Sequence, residues 1–401
     1  MKSVEILKDI HYIGAVDWDR RNFHGYSLSP KGTTYNAFLI QDEKNTVVDT
    51  VDAAFAGDLL CKIAHVMPVE KVDYIVVNHV EPDHSGALPR LVAASKPEKI
   101  ICSIMGEKAI KEYYDAKDWP LHVVKTGDTL SIGKRTLHFM ETRMLHWPDS
   151  MMTYIPHDKL LISQDAFGQN YATSERFADE VDQAELARQL SRYYANIVLP
   201  YSSVTLKILE EVGKQGWDVQ MIAPDHGLLW RGEGVGQVIE AYRNFALQKP
   251  ANKAVVFFDT MWRSTEMMAH AVAQGLSDAG TPVTVMSLKA NHHSDVMTEV
   301  FESGAVLVGS ATHNNGVLPP VSAMLTYMKG LRPQNKVAAA FGSYGWSGES
   351  LKLLTEQLTA MHFDVIEGVR AKNRPTHEQL KACVELGRKV AEALQAKIAA
   401  F

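Results

Sequence analysis

Apolar residues fall in short runs separated by polar turns, and the rhythm of those runs changes near residue 250. In the first part the runs read as strands with interspersed helices. Ala37-Phe38-Leu39-Ile40 and Thr46-Val47-Val48-Asp49 flank the polar turn Asp42-Glu43-Lys44-Asn45, which predicts a hairpin. Further strands are expected from Val72 to Val77, Leu137 to Met140, Leu160 to Ile162 and Val219 to Ala223. The mostly polar, Pro-bearing stretch Leu247-Gln248-Lys249-Pro250-Ala251-Asn252-Lys253 predicts a domain boundary, giving domains over 1–249 and 250–401. Beyond it, strands at Ala254–Phe258, Val283–Met286, Ala305–Val308 and Val337–Phe341 interleave with helical stretches. In the first of these, Thr265–Ala279, Met268, Ala271, Val272 and Leu276 share one face. Strands alternating with helices predict an α/β domain with a doubly wound parallel sheet. A last helix is expected from Leu380 to Phe401.

Composition narrows the picture. The 401 residues correspond to two or three domains at roughly 150 residues each. Hydrophobic residues make up 46% and charged residues 22%, enough apolar surface for sizeable cores, so a disordered or fibrous chain is excluded. A net charge of −6 argues against nucleic acid or an anionic membrane as the main partner. No run of about 18 apolar residues predicts a membrane span, and Met1-Lys2-Ser3-Val4-Glu5-Ile6 lacks the apolar core of a signal peptide. Cys61, Cys102 and Cys383 are scattered, with no C-x-x-C pair. A thiolate zinc site, a rubredoxin-type iron site and a disulfide framework are therefore not expected, and a reducing cytoplasm is the simplest setting.

The richest stretch is His79-Val80-Glu81-Pro82-Asp83-His84, just past the apolar run Tyr74-Ile75-Val76-Val77. Four possible ligands within six residues suit a loop curled around metal, and Pro82 argues for loop over helix. His146, Asp165 and His226 also follow candidate strands, where loops at one end of a sheet assemble sites. Most of the 16 histidines need no such role: His292 and His293 read as solvated, and His138 as packed on a strand. Imidazoles mixed with carboxylates suit iron with open positions better than zinc. Seven ligands exceed one ion, whereas two ions sharing one carboxylate would take three terminal ligands each, with Asp165 as the natural bridge. His24 and the pair Tyr193-Tyr194 are candidates for orienting ligands or donating protons, with plain packing an equal alternative.

In the second part three loops follow strand ends. Thr260, Met261, Trp262, Arg263, Ser264 and Thr265 lead into a helix, whose N-terminus favours a phosphate. Taken alone, these hydroxyls equally describe an ordinary N-cap. The loops Ser310 to Gly316, holding Thr312, His313, Asn314 and Asn315, and Ser343-Tyr344-Gly345-Trp346-Ser347-Gly348 add flat faces, ring-edge hydrogen bonds and room for close backbone approach. This trio resembles the FMN site of flavodoxins.

With His79–His84, His146, Asp165 and His226, the whole chain resembles the flavodiiron proteins, the A-type flavoproteins. The resemblance implies a metallo-β-lactamase-like αβ/βα domain followed by a flavodoxin-like domain. It places one iron on His79, Glu81 and His146 and the other on Asp83, His84 and His226, with Asp165 between them. Glu81 stands where the hydrolases of that fold carry a second His. The resemblance further implies a reductase in which electrons enter at FMN and reach a di-iron site that reduces O2 to water or NO to N2O. It implies a head-to-tail homodimer, which sets the flavin of one subunit near the iron of the other. The sequence shows no rubredoxin or flavin-reductase segment after the flavodoxin-like part, so a separate rubredoxin is the expected donor. Two other classes fit parts of the pattern: a zinc hydrolase carrying a flavodoxin domain for another purpose, and an electron carrier with a vestigial metal site.

Overall fold

Alternation along the strands decides which side chain faces which layer. In the computed structural model, which describes residues 2–401, Leu160 and Ile162 point into one core while Leu161, between them, faces the opposite side of its sheet; Met221, Ala223 and Ile222 repeat the pattern. That core is shared by two sheets. One has seven strands in the order Val4–Leu7, Ile10–Tyr12, Phe38–Ile40, Thr46–Val48, Tyr74–Val77, Lys99–Ser103, Leu121–Val124. The other has six, in the order Thr129–Ser131, Thr136–Glu141, Met151–Ile155, Leu160–Gln164, Met221–Pro224, Trp230–Arg231. The expected hairpin is present, with Phe38 opposite Val48 and Ile40 opposite Thr46. Helices Ser202–Lys214 and Glu233–Leu247 contribute residues to the outer side of the second sheet. This is the metallo-β-lactamase-like arrangement.

The second sheet system is all parallel. Its five strands lie in the order Val283–Ser287, Ala254–Asp259, Ala305–Ser310, Val337–Tyr344, Asp364–Lys372, so that in chain order the second, first, third, fourth and fifth are neighbours. That is the flavodoxin-like order. Val255, Val256, Phe257, Val306, Leu307 and Val308 are all fully buried, as strands covered on both faces must be. One face carries helices Ser264–Asp278 and His377–Ala400, whose Met268, Val272, Leu276, Cys383, Leu386 and Val390 share its core. These two helices touch at glycines: a Cβ on Gly275 would sit 1.9 Å from the Val384 carbonyl oxygen, and one on Gly387 2.2 Å from that of Val272.

By contacts the chain forms two compact units, one made of residues up to Gly25 with Ser29–Tyr193 and Tyr201–Ala246, the other of Tyr26–Leu28, Tyr194–Pro200 and Leu247–Phe401. The two short segments join the second unit through hydrogen bonds: Leu28 N donates to Ser294 Oγ at 3.1 Å, Asn196 Nδ2 to the Ser294 carbonyl at 3.3 Å, and Tyr327 Oη to Asn196 Oδ1 at 2.8 Å.

Two local expectations need correction. Pro82–Ser85 is not loop but a turn of α-helix, because proline at the first helical position gives up an amide that has no partner there anyway. His292 and His293 are half-buried rather than solvated. His292 Nδ1 accepts from Ser294 N as a helix N-cap, and His293 Nε2 lies 2.6 Å from the Tyr26 carbonyl oxygen.

Candidate metal centre and flavin cavity

Four strand ends deliver the metal-competent groups to one place. After Tyr74–Val77 the chain presents His79, then Glu81 at the N-cap of the Pro82 helical turn, then Asp83 and His84 on that turn. His146 follows Thr136–Glu141, Asp165 follows Leu160–Gln164, and His226 follows Met221–Pro224. The seven fall into two groups: His79, Glu81, His146 and Asp165 in one, Asp83, His84 and His226 in the other, each with its ligand atoms within 4.8 Å of one another.

Asp165 faces both groups. Its Oδ2 lies 2.9 Å from His146 Nε2 and 3.4 Å from His79 Nε2, while Oδ1 lies 3.1 Å from His84 Nε2 and 3.4 Å from His226 Nε2. Glu81 Oε2 completes the first group at 3.1 Å from His79 Nε2, and Asp83 Oδ2 the second at 3.3 Å from His226 Nε2. All four imidazoles thus turn Nε2 inward. On three of them Nδ1 meets an outer partner: Asp149 Oδ2 at 3.1 Å from His79, Asp225 Oδ2 at 3.6 Å from His84, and the Thr34 carbonyl at 2.6 Å from His226. Such partners fix ring orientation and leave the inner nitrogen free for a metal. Both oxygens of Asp83, Oδ1 of Asp165 and Nε2 of His226 are buried without a hydrogen bond. Burying lone pairs so is costly unless a cation takes them, and this donor set fits two such cations.

The second unit has a cavity of about 920 Å³ at the ends of its parallel strands. Of the loop residues singled out in the sequence, Met261, Trp262, Arg263, Ser264, Thr312, His313, Asn314, Ser343, Tyr344, Gly345 and Trp346 line it; Asn373 and Arg374, past the last strand, add a fourth loop. Thr260, Thr265, Ser310, Asn315, Gly316, Ser347 and Gly348 stand outside the lining. The Thr265 and Ser310 hydroxyls are engaged within the protein, the first 2.9 Å from Ser343 Oγ, the second donating to the Ala311 carbonyl and accepting from Leu318 N. Gly348 adopts φ +91°, with the Tyr344 ring 3.1 Å from where a Cβ would be. Ser264 and Thr265 do not cap the helix that follows. Arg263 holds the N-cap position at φ 69° without a side-chain cap bond, and Thr260 Oγ1 is buried with no hydrogen bond. The helix therefore keeps amide donors for an anion, which fits a phosphate. Trp262 and Trp346 stand 88% and 89% exposed beside the cavity, flat faces with nothing stacked on them.

Comparison with known proteins agrees with both halves. Residues 33–227 match the ODP family beta lactamase model and residues 256–387 the flavodoxin model. The rubredoxin-oxygen oxidoreductase of Megalodesulfovibrio gigas is 52% identical over 402 residues, covering 100% of both chains. The chain belongs to the flavodiiron protein family. The nitric oxide reductase of Moorella thermoacetica is 45% identical over 97% of this chain and 98% of its own. The crystal structure of the flavodiiron protein from Giardia intestinalis superposes with a TM-score of 0.97 at 34% identity, covering 100% of this chain and 98% of that one.

This flavodiiron chain carries a flavodoxin domain and a buried His/Asp/Glu metal site, and the charges of that site are unusual. Burial opposes protonation of His79, His84 and His146, yet the carboxylates around them win. Asp149 holds His79 well up, Asp165 and Glu81 hold His146 up, and Asp83, Asp165 and Asp225 raise His84 to about 10. Burial also works against the charged carboxylates. His146, His24 and His79 nevertheless hold Glu81 well below the usual range, and His84 and His146 do the same for Asp165. The same carboxylates that favour protonated imidazoles would favour a metal cation. His24 Nε2 touches Glu81 Oε1 at 2.8 Å, and the Tyr193 ring lies 5.9 Å from that of His226. Tyr194 instead belongs to the second unit, stacked on Phe301 with ring centroids 5.6 Å apart.

The groups behind the imidazoles leave little trace in the sequence. Asp149 and Asp225 were present as single acids with no cluster to mark them, though Asp225 adjoins His226 and Asp149 follows His146 by three residues. The Thr34 carbonyl is a backbone group and left no trace in residue type.

Proposed function

We propose that the protein is a reductase of O2 or NO that carries two non-haem iron ions and FMN and takes its electrons from a rubredoxin. The residues 1–249 hold the metal function and 250–401 the flavin function. The observation that carries this reading is the pair of oxygens on Asp165, one turned to each group of ligands. His79, Glu81 and His146 would hold one iron, Asp83, His84 and His226 the other, with Asp165 between. The names of the two relatives above, a rubredoxin-oxygen oxidoreductase and a nitric oxide reductase, support both the gas and the donor.

When bound, the iron pair and FMN would supply gas binding and electron transfer, from donor to O2 or NO. The rest is set by the chain. Three carboxylates, Glu81, Asp83 and Asp165, offset the charge of two close cations and favour the higher oxidation state. His24 fixes Glu81 through Oε1 and leaves Oε2 for metal. His24 Nε2 and the buried Tyr193 hydroxyl, which lacks a hydrogen bond, are placed to hold protons for the reduction. In the second-unit cavity, Ser264 and the helix start behind it would hold the phosphate, Thr312, His313 and Asn314 would meet the ring edge, and Tyr344, Trp346 and Trp262 would cover its faces.

The working form is a head-to-tail homodimer, by resemblance to the family, and its setting a reducing cytoplasm, in keeping with three scattered cysteines and no C-x-x-C pair. The deciding experiment is metal and flavin analysis of an anaerobic preparation, with oxygen- and NO-electrode assays on the same sample using reduced rubredoxin. Iron with FMN and consumption of either gas is the expected result. Zinc with hydrolase activity, or no consumption of either gas, overturns the reading. An active monomer in sedimentation overturns the dimer.

A further inference from the structure

On the outer side of the second sheet of the metal unit lies a cavity of about 250 Å³. Its floor is the face that points away from the shared core, represented by Met152, Leu161 and Ile222, all buried. Leu209 and Tyr242, from the helices Ser202–Lys214 and Glu233–Leu247, form its roof. A void of this size between sheet and helices forgoes packing that protein interiors normally achieve.

The two ends differ. At the outer end stand Gly213 and Arg243, both exposed, and Trp217. At the inner end stand Leu145, which immediately precedes His146, and Phe167, two residues past Asp165. Gln164 Nε2 ties those two loops together by donating to the Leu145 carbonyl at 2.6 Å, and the Phe167 ring rests against that of Tyr242 with centroids 4.6 Å apart. The cavity thus runs from solvent to the backs of the loops that carry two of the metal-competent side chains.

Most of its lining is apolar, with Thr205, Arg243, Trp217 and Tyr242 the side chains that carry a polar group. The Thr205 hydroxyl donates to the Tyr201 carbonyl at 3.2 Å, and Arg243 sits at the outer end, 3.6 Å from Glu240. A buried water needs two to four polar partners, whereas apolar cavities stay dry and take up apolar atoms such as xenon. Small neutral gas molecules favour such a space over water for the same reason.

We propose that this cavity binds a small apolar diatomic gas and is a route by which that gas reaches the metal-bearing loops. The identity of the gas as O2 or NO rests on the reductase reading; the binding of an apolar gas does not.

The test begins with diffraction from crystals of the holoprotein under xenon pressure, with a xenon peak expected between Leu209 and Leu161. A Gly213→Trp variant then narrows the outer end. A Cβ at Gly213 meets nothing within 4 Å and the residue is helical, so the fold is expected to tolerate the change; Gly213→Leu serves if the larger side chain does not. The variant is expected to lose xenon occupancy and to show kcat/KM for the gas lowered several-fold, with kcat at saturating gas unchanged. Absence of xenon from the cavity overturns the site, and unchanged kcat/KM in a variant that excludes xenon overturns the route. Xenon in the cavity of a protein that consumes neither gas supports the binding site and overturns the reductase reading alone.

Discussion

At the scale of single residues, the metal centre is a contest between cations. With His84 raised to about 10 and His79 and His146 also raised, the metal-free site holds protons at neutral pH that a metal must displace. Adding ferrous iron to metal-free protein at pH 7 is therefore expected to release more than one proton per chain. Calorimetry in buffers of different ionisation enthalpy measures this, and apparent affinity is expected to rise with pH. A second buried cation stands apart. Lys336 donates to the carbonyls of Phe301 at 2.9 Å and Ser303 at 2.5 Å, and burial pushes its ammonium down to about 7. The unfolded chain, with lysine near its ordinary value of about 10.4, then binds the extra proton between those limits. Stability from this group is expected to be lost as pH falls from about 10 toward 7, by a few kcal/mol at most because the two carbonyls also favour the charged form. Lys336→Met is expected to flatten that slope in urea titrations across the window. The seven metal-competent residues were legible in the sequence because four of them crowd into His79–His84, a density that packing alone does not call for. Asp149, Asp225, Asn373 and Arg374 were not, because each acts through a position that only the folded chain creates.

At the scale of elements, alternation and β-branched runs make ten of the eighteen strands of the three main sheets readable, the hairpin about 42–45 among them, but not the interior strands Lys99–Ser103 and Met151–Ile155. Nor does the pattern reveal the last parallel strand, Asp364–Lys372. It lies at a sheet edge, is half exposed, and mixes Asp, Glu, Gly, Arg and Lys with its apolar residues, as edge strands do. At Pro82 the sequence is ambiguous, because proline both breaks a helix in its interior and starts one at its first position, and the folded chain takes the second course. The contact of helices Ser264–Asp278 and His377–Ala400 through Gly275 and Gly387 also left no pattern, since a glycine within a helix reads first as a weakness. Here backbone oxygens fill the space a methyl would need. Gly275→Ala is therefore expected to destabilise the protein by about 1–3 kcal/mol despite its better helix propensity, as overpacking does. Chemical denaturation followed by circular dichroism checks it, and a stabilised variant would refute the contact.

At the scale of the whole molecule, two cores accompany two kinds of site. The change of rhythm near residue 250 reported the second core. The transfer of Tyr26–Leu28 and Tyr194–Pro200 to that unit went unannounced, because it depends on hydrogen bonds such as Tyr327 to Asn196, more than a hundred residues apart. A ligand stabilises the folded state it binds, so FMN added to flavin-free protein is expected to raise the melting of the flavodoxin unit by several degrees at saturation. Iron is expected to do the same for the metal unit. Scanning calorimetry separates the two, and an FMN-independent melting profile would contradict the proposed cavity.

One carboxylate with an oxygen turned toward each group of ligands has a further consequence. A first ion on either oxygen would change the charge and orientation that Asp165 offers the other group of ligands, so binding of two ions would be thermodynamically linked. Under the proposed two-iron reading, filling is expected to be cooperative, with singly occupied chains scarce throughout a titration. Asp165→Asn, with less charge to share, is expected to leave molecules stranded with one ion, a population that native mass spectrometry counts directly.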